Sequence, residues 1–120
     1  MRVLVVEDDP AIAQYLKKGL GETGYRVDHL STAEEALGAA TLNEYDVLVV
    51  DLMLPGKDGN AVLQELQEDP ATAGIPVIVV SAYTDSLQRT PQVRQIIAKP
   101  FDVAELLDGI ERELGHRGPR

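Results

Sequence analysis

The sequence predicts an α/β fold in which an open, doubly wound parallel sheet carries helices on both of its faces. Strand-like apolar runs alternate with amphipathic, helix-like segments about five times along the 120 residues. Four of the runs are almost entirely apolar, which is typical of parallel strands that are buried on both faces. A chain of this length suits one compact domain with a single hydrophobic core. We therefore expect one domain.

The first strand and helix are predicted by the apolar residues 2–6 (RVLVV) and by the pair Asp9 and Pro10. An aspartate caps a helix N-terminus well, and a proline fits the first turn of a helix. An apolar stripe spaced by four residues supports this helix; it consists of Ile12, Leu16 and Leu20. Residues 25–30 (YRVDHL) alternate in polarity like an edge or second strand, and residues 31–32 (Ser-Thr) offer a cap for a second helix.

Two buried strands are predicted in the middle of the chain. Residues 47–51 (VLVVD) end at Asp51, and a proline and two glycines follow within eight residues, which indicates a sharp turn. A lone buried carboxylate is costly, so we expect Asp51 to meet a cation or a hydrogen-bond donor. A third helix is expected to begin at Asp58. The run VIVV at 77–80 predicts the fourth strand, which leads directly to Ser81.

The last third of the chain carries a weaker pattern. The stretch 83–95 is poor in aliphatic residues and contains Pro91, so it predicts at most a short or irregular fourth helix near 85–90. Residues 96–98 (IIA) predict a short fifth strand. An amphipathic final helix is expected to begin near Asp102.

Charge and composition exclude several classes of function. The formal net charge is −9, from 11 basic and 20 acidic residues, and no basic cluster is present. Direct binding of nucleic acid by this chain is therefore not expected, because neutralisation of phosphates dominates that affinity. The absence of cysteine excludes a disulfide framework and a thiolate metal site. No apolar run approaches the roughly 20 residues that span a bilayer, and the N-terminus turns acidic too early for a signal peptide. We expect a cytoplasmic protein without membrane contact.

Polar side chains follow four of the predicted strands. Glu7 and Asp8 follow the first strand, and Asp51 ends the third. Ser81 follows the fourth strand and Lys99 the fifth. In a doubly wound sheet these strand ends converge on one edge, where ligands bind. Clustered carboxylates repel one another unless a hard cation joins them, and Mg²⁺ favours carboxylate, phosphate and water oxygens. The set predicts Mg²⁺-dependent phosphoryl chemistry with Asp51 as the nucleophile, Lys99 neutralising the phosphoryl oxygens and Ser81 donating a hydrogen bond to one of them.

The chain resembles the receiver domains of two-component response regulators over essentially its whole length. The segments that carry the resemblance are VLVVEDD (3–9), VLVVDLMLPGKDG (47–59), VIVVSA (77–82) and KPF (99–101). The resemblance implies a CheY-like, flavodoxin-like fold with a five-stranded sheet of order 2-1-3-4-5 and five helices. It also implies a receiver domain over residues 1–115, with residues 116–120 as a tail or the start of a linker.

The resemblance further implies a role for each acid at the sheet edge. Asp51 would be the phosphoacceptor, which takes a phosphoryl group from the phosphohistidine of a sensor histidine kinase or phosphotransfer protein. Asp8, Asp51 and the backbone carbonyl of Met53 would be Mg²⁺ ligands, with Glu7 acting on the ion through water.

Other implications concern the switch and its partners. Ser81 matches the hydroxyl switch position and Lys99 the phosphate-binding lysine of the family, and the Lys99–Pro100 peptide bond is expected to be cis. The protein would be a switch that phosphorylates and dephosphorylates itself rather than a turnover enzyme. An effector domain or output protein and a second copy of the chain are the further partners that the resemblance allows.

This sequence departs from the family pattern at Ile96, where members usually carry an aromatic residue, and in the short span 81–99. These departures support one alternative, a pseudo-receiver that binds partners without being phosphorylated. A second alternative is an aspartyl-phosphate phosphatase. Such enzymes commonly place a general acid two residues after the nucleophile, where this chain has Met53, which cannot transfer a proton.

Overall fold

The computed structural model describes residues 1–54, 58–82 and 87–115. Its strands are β1 (Arg2–Val6), β2 (Arg26–Leu30), β3 (Val47–Asp51), β4 (Val77–Ser81) and β5 (Val93–Ala98). Its helices are α1 (Pro10–Gly21), α2 (Ala33–Leu42), α3 (Gly59–Glu68) and α4 (Val103–Gly115). The expected turn after Asp51 lies partly outside these ranges, and the expected tail at 116–120 lies wholly outside them.

The five strands form one parallel sheet in the order β2-β1-β3-β4-β5, which confirms the expected topology. Helices α2 and α3 pack on one face of the sheet and α1 and α4 on the other, so each face has its own apolar cluster. The chain runs outward from β1 to β2 and then returns to β3 on the other side of β1. This reversal opens a crevice at the carboxyl ends of β1 and β3, which is where such sheets bind ligands.

Three of the helices begin at the caps that the sequence predicts. The Asp9 side chain accepts hydrogen bonds from two backbone N–H groups in the first turn of α1. Of the two candidates for α2, the cap is Thr32, whose hydroxyl accepts from the Glu35 N–H and donates to the Glu35 carboxylate. The Asp58 side chain caps α3 by accepting a hydrogen bond from the Asn60 N–H. These caps satisfy N–H groups that a helix cannot bond internally.

The connection between β4 and β5 departs from expectation. Residues 87–90 are not helical, so the predicted short helix near 85–90 does not include them; residues 83–86 lie outside the described ranges. The described residues form four helices rather than the five that the resemblance implies. The buried side chain of Gln92 helps to hold this connection, because its Nε2 donates to the carbonyl oxygens of Thr72 (2.6 Å) and Ile75 (2.9 Å).

The fifth strand is longer than predicted, because it begins at Val93 rather than at residue 96. The polar pair Arg94 and Gln95 interrupts the apolar pattern, so that pattern does not indicate where the strand begins. β5 is an edge strand, so polar residues fit there: Arg94 is exposed, and the Gln95 amide donates to the Gly109 carbonyl of α4 at 2.8 Å.

Across the described ranges, every helix is too short or too polar to cross a membrane.

Candidate functional site

The carboxyl ends of β1, β3 and β5 bring two acids and a lysine together. The Lys99 ammonium lies 2.8 Å from Asp51 Oδ2 and 3.1 Å from Glu7 Oε2, so one cation bridges two carboxylates. These residues are far apart in the chain, and only the order of the strands makes them neighbours. The expected convergence of strand ends on one edge is therefore found for these three side chains.

Asp51 ends the central strand β3, whose five residues are all buried. Its side chain is only 2% exposed, and both of its oxygens have a donor. Oδ2 accepts from Lys99, and Oδ1 accepts from the Met53 backbone N–H at 2.9 Å. The acid thus has the partners that its burial requires, and the Met53 main chain lies beside it.

The segment after Asp51 is held close to α3 by a glycine. A Cβ built on Gly59 would lie 2.5 Å from the Leu52 carbonyl oxygen and 2.7 Å from the Leu52 Cα. Only a residue without a side chain permits this approach of the first turn of α3 to the backbone next to Asp51. The packing keeps the start of the loop compact beside the acid.

Glu7 directly follows β1 and is 1% exposed. Its Oε1 accepts from the Asp9 N–H at 3.2 Å and its Oε2 from Lys99. Burial raises the pKa of Glu7, and the charge of Asp51 raises it further. The hydrogen bonds from Asp9 and Lys99 lower the pKa of Glu7 but do not cancel this rise, so its environment still disfavours the charged form of the carboxyl group.

Asp8 completes a cluster of three acids. One oxygen each from Glu7, Asp8 and Asp51 lies within 4.8 Å of the others, and Asp8 is the exposed member. Three carboxylates against one ammonium leave a formal local charge of −3 + 1 = −2, which a divalent cation would balance. Oxygen-only donors at this spacing, with one open to solvent, are of the kind that Mg²⁺ prefers. The residues present therefore fit the expected ion.

Lys99 enters the site from the loop after β5. Its N–H donates to the Ser81 carbonyl at 2.9 Å, and the Lys99–Pro100 peptide bond is cis. Burial lowers the pKa of the Lys99 ammonium, but the hydrogen bonds and charges of Asp51 and Glu7 outweigh burial, so the pKa is raised overall. The lysine stays charged at neutral pH and can neutralise anionic oxygens.

Ser81 is fully buried as the last residue of β4, which pairs with β3 and β5. Its backbone contact with Lys99 puts it at the same edge of the sheet as the acids. Sequence reasoning missed one residue at this edge: the His29 Nε2 of β2 lies 2.7 Å from the Glu7 carbonyl oxygen. The available signal was a polar residue near the end of the second strand, which also points to this edge.

Comparison with known proteins gives one consistent result. The family model for the response regulator receiver domain matches residues 3–111. The transcriptional activator protein IrlR of Burkholderia pseudomallei is 37% identical over an aligned length of 122, which covers 98% of this chain and 52% of that protein. The chain thus spans about half the length of the curated relatives it matches.

Solved structures agree with this result. A sensor protein from Polaromonas sp. JS666 is similar with a TM-score of 0.88 and 30% identity, over 98% of each chain. The receiver domain of a sensor histidine kinase from Pseudomonas aeruginosa, which has a magnesium ion coordinated in its active site cleft, has a TM-score of 0.85 and 28% identity over 95% of this chain and 97% of that one.

Proposed function

The chain belongs to the response regulator receiver domain family, and on that premise we propose that it is a Mg²⁺-dependent phosphoacceptor switch. Asp51 receives a phosphoryl group from the phosphohistidine of a sensor histidine kinase or phosphotransfer protein. The modification then controls an output. The observation that carries the proposal is the Lys99 ammonium bridging Asp51 and Glu7 within a cluster of three acids.

The chemistry assigned to Asp51 is nucleophilic displacement at phosphorus. A carboxylate oxygen forms a P–O bond while the P–N bond of the phosphohistidine breaks, and its electron pair stays on the imidazole nitrogen. Lys99 balances charge on the phosphoryl oxygens, and Ser81 donates to one of them. Hydrolysis of the aspartyl phosphate by water returns the carboxylate and inorganic phosphate, so the chain acts as a switch rather than as a turnover enzyme.

We assign Mg²⁺ to Asp8, Asp51 and the Met53 carbonyl, with Glu7 acting through water. When bound, the ion supplies positive charge that offsets the repulsion between the carboxylates and an incoming phosphoryl group. One observation supports the assignment: Asp8 is exposed and accessible, and one of its carboxylate oxygens lies within 4.8 Å of an oxygen of Glu7 and of Asp51.

The proposal is tested by intact-protein mass spectrometry after incubation with acetyl phosphate and Mg²⁺. The wild type should gain the mass of one phosphoryl group, and the gain should disappear when EDTA replaces Mg²⁺ or when Asp51 is changed to asparagine. Asp58→Asn is the matched control, because Asp58 is an exposed capping acid outside the cluster and its variant should be modified like the wild type.

Two results would contradict the proposal. The first is an adduct on Asp51→Asn equal to that on the wild type. The second is no adduct on the wild type; if saturable Mg²⁺ binding is also absent, the result would favour the pseudo-receiver, a pure interaction module. Sustained release of phosphate from a phosphomonoester would instead support the phosphatase alternative.

The switch itself is proposed to differ from the usual one. Ile96 replaces the usual aromatic side chain and is partly exposed on β5, and residues 87–90 form no helix. We propose that phosphorylation reorders Ser81 and the residues after it more than it flips one side chain. Amide exchange with and without beryllofluoride, a phosphoryl mimic, tests this; unchanged exchange across 81–95 would contradict it.

The proposed setting is a cytoplasmic two-component system. Residues 1–115 are taken as the receiver domain and residues 116–120 as a tail or the start of a linker. The match to about half of a transcriptional activator supports an output through an effector domain or a separate output protein. Association with a second copy is a further proposed partner interaction, and analytical ultracentrifugation with and without the phosphoryl mimic would measure it.

A further inference from the structure

The backbone of Glu7 is held by the end of β2. The Glu7 N–H donates to the Leu30 carbonyl at 3.1 Å, and the His29 Nε2 lies 2.7 Å from the Glu7 carbonyl oxygen. A carbonyl oxygen can only accept, so the His29 Nε2 carries the hydrogen and donates it. In the strand register His29 is opposite Val5, so its side chain reaches forward past the end of β1 to the first residue of the acidic loop.

This hydrogen bond bears on the geometry of the acids. The Glu7 carbonyl belongs to the planar peptide unit that joins Glu7 to Asp8, so a donor on that oxygen fixes the orientation of the plane. Asp8 is exposed, and within the described ranges its side chain has no hydrogen bond that would position it. The loop backbone must therefore aim the Asp8 carboxylate.

We propose that His29 is a positioning residue that holds the Glu7–Asp8 peptide unit in the orientation needed for Mg²⁺ binding. This inference rests on the proposed function of the site. His29 does not touch the acid oxygens; it acts through the main chain, as groups behind metal ligands commonly do. Loss of such a supporting contact typically weakens metal binding by about 10- to 100-fold, and we expect the lower figure because His29 is only half-buried.

The experiment measures Mg²⁺ affinity by isothermal titration calorimetry for the wild type and three variants. His29→Leu removes the donor and should weaken Mg²⁺ binding about tenfold. His29→Gln keeps an N–H near the position of Nε2 and should restore most of the affinity. Asp28→Asn is the matched control on the same strand, because Asp28 bonds to Arg2 and Tyr45 and not to Glu7. It should lower thermal stability and leave Mg²⁺ affinity within about twofold of the wild type.

A second readout separates positioning from chemistry. In the acetyl phosphate reaction, His29→Leu should shift the Mg²⁺ concentration for half-maximal rate upward about tenfold, while the rate at saturating Mg²⁺ stays near that of the wild type. If His29→Leu does not fold, His29→Asn replaces it, because the shorter amide cannot reach the Glu7 carbonyl as glutamine can.

The outcomes distinguish this inference from the function on which it rests. Wild-type affinity in folded His29→Leu, equal weakening in His29→Gln, or equal weakening in Asp28→Asn would each overturn the role of His29 and leave the proposed function intact. A wild type that binds no Mg²⁺ and gains no phosphoryl group would overturn both.

Discussion

Replacing Lys99 with methionine is expected to lower the free energy of unfolding by about 3 kcal/mol when divalent cations are absent. The Lys99 ammonium is the bridge between Asp51 and Glu7, whose side chains are 2% and 1% exposed. Removing one partner of a buried ion pair costs about 3–5 kcal/mol, because the remaining charge stays buried and uncompensated. The lower end applies because 20% of the Lys99 side chain is exposed, so solvent partly screens the pair.

The stability lost in Lys99→Met should depend on pH, and the pKa of Glu7 determines the direction of that dependence. The pKa of Glu7 in the folded chain is raised above its ordinary value of 4.5. A group with a raised pKa contributes stability that is fully present below its unfolded pKa and is lost as the pH rises through the folded pKa. Without Lys99 the pKa of Glu7 rises further. The deficit of Lys99→Met should therefore be full at pH 7 and shrink as the pH falls toward 4.5.

Urea unfolding followed by far-UV circular dichroism measures this effect in EDTA at pH 7, and again with saturating Mg²⁺. A bound cation should recover much of the loss, since it binds only the folded acidic cluster. Lys17→Met is the control, because Lys17 is an exposed lysine on α1 and its loss should change stability by no more than about 0.5 kcal/mol. Equal stability of Lys99→Met and wild type in EDTA, or a deficit of the same size in Lys17→Met, would refute the electrostatic reasoning.

Three other predictions test the packing and hydrogen bonding around the sheet. Gly59→Ala should lower the free energy of unfolding by about 1–3 kcal/mol because the new methyl group overlaps the Leu52 backbone, whereas Gly38→Ala, whose methyl group meets open space in α2, should raise it by up to about 1 kcal/mol. Urea unfolding measures both variants, and the reverse order of their stabilities would contradict the packing argument. Burial and the hydrogen bond to Asp28 raise the pKa of Tyr45 to about 12, so the stability that the neutral phenol contributes is present below its unfolded pKa and is lost as the pH rises through about 12. Tyr45→Phe should therefore remove the step at highest pH from an ultraviolet titration of the tyrosines, and an unchanged titration curve would contradict the raised pKa of Tyr45. Gln92→Leu should lower the free energy of unfolding by about 2–3 kcal/mol, because the carbonyl groups of Thr72 and Ile75 lose their buried donor. Thermal unfolding should show this as a lower Tm, and an unchanged Tm would show that water replaces the amide.

Most of the fold could be predicted because its signals are local. Apolar runs with a single acid or hydroxyl at the end mark buried parallel strands, and caps such as Asp9 and Asp58 mark the starts of helices. β5 was predicted too short because the polar residues Arg94 and Gln95 belong to an edge strand, where one side has no neighbouring strand to exclude water. The connection before β5 carries no such signal, since contacts of Gln92 with distant carbonyls help to hold it.

The sequence by itself determined which residue types stand at the strand ends and hence which chemistry the chain can support. Asp51, Glu7, Asp8 and Lys99 end or directly follow apolar runs, and the sequence alone reveals that pattern. Only the tertiary structure decided the distances: that Lys99 contacts both Asp51 and Glu7, that Asp8 remains exposed, and that His29 reaches the Glu7 backbone. The reason is physical, because strand order and register are set by packing across the whole sheet and bring together residues as much as 92 positions apart in the chain.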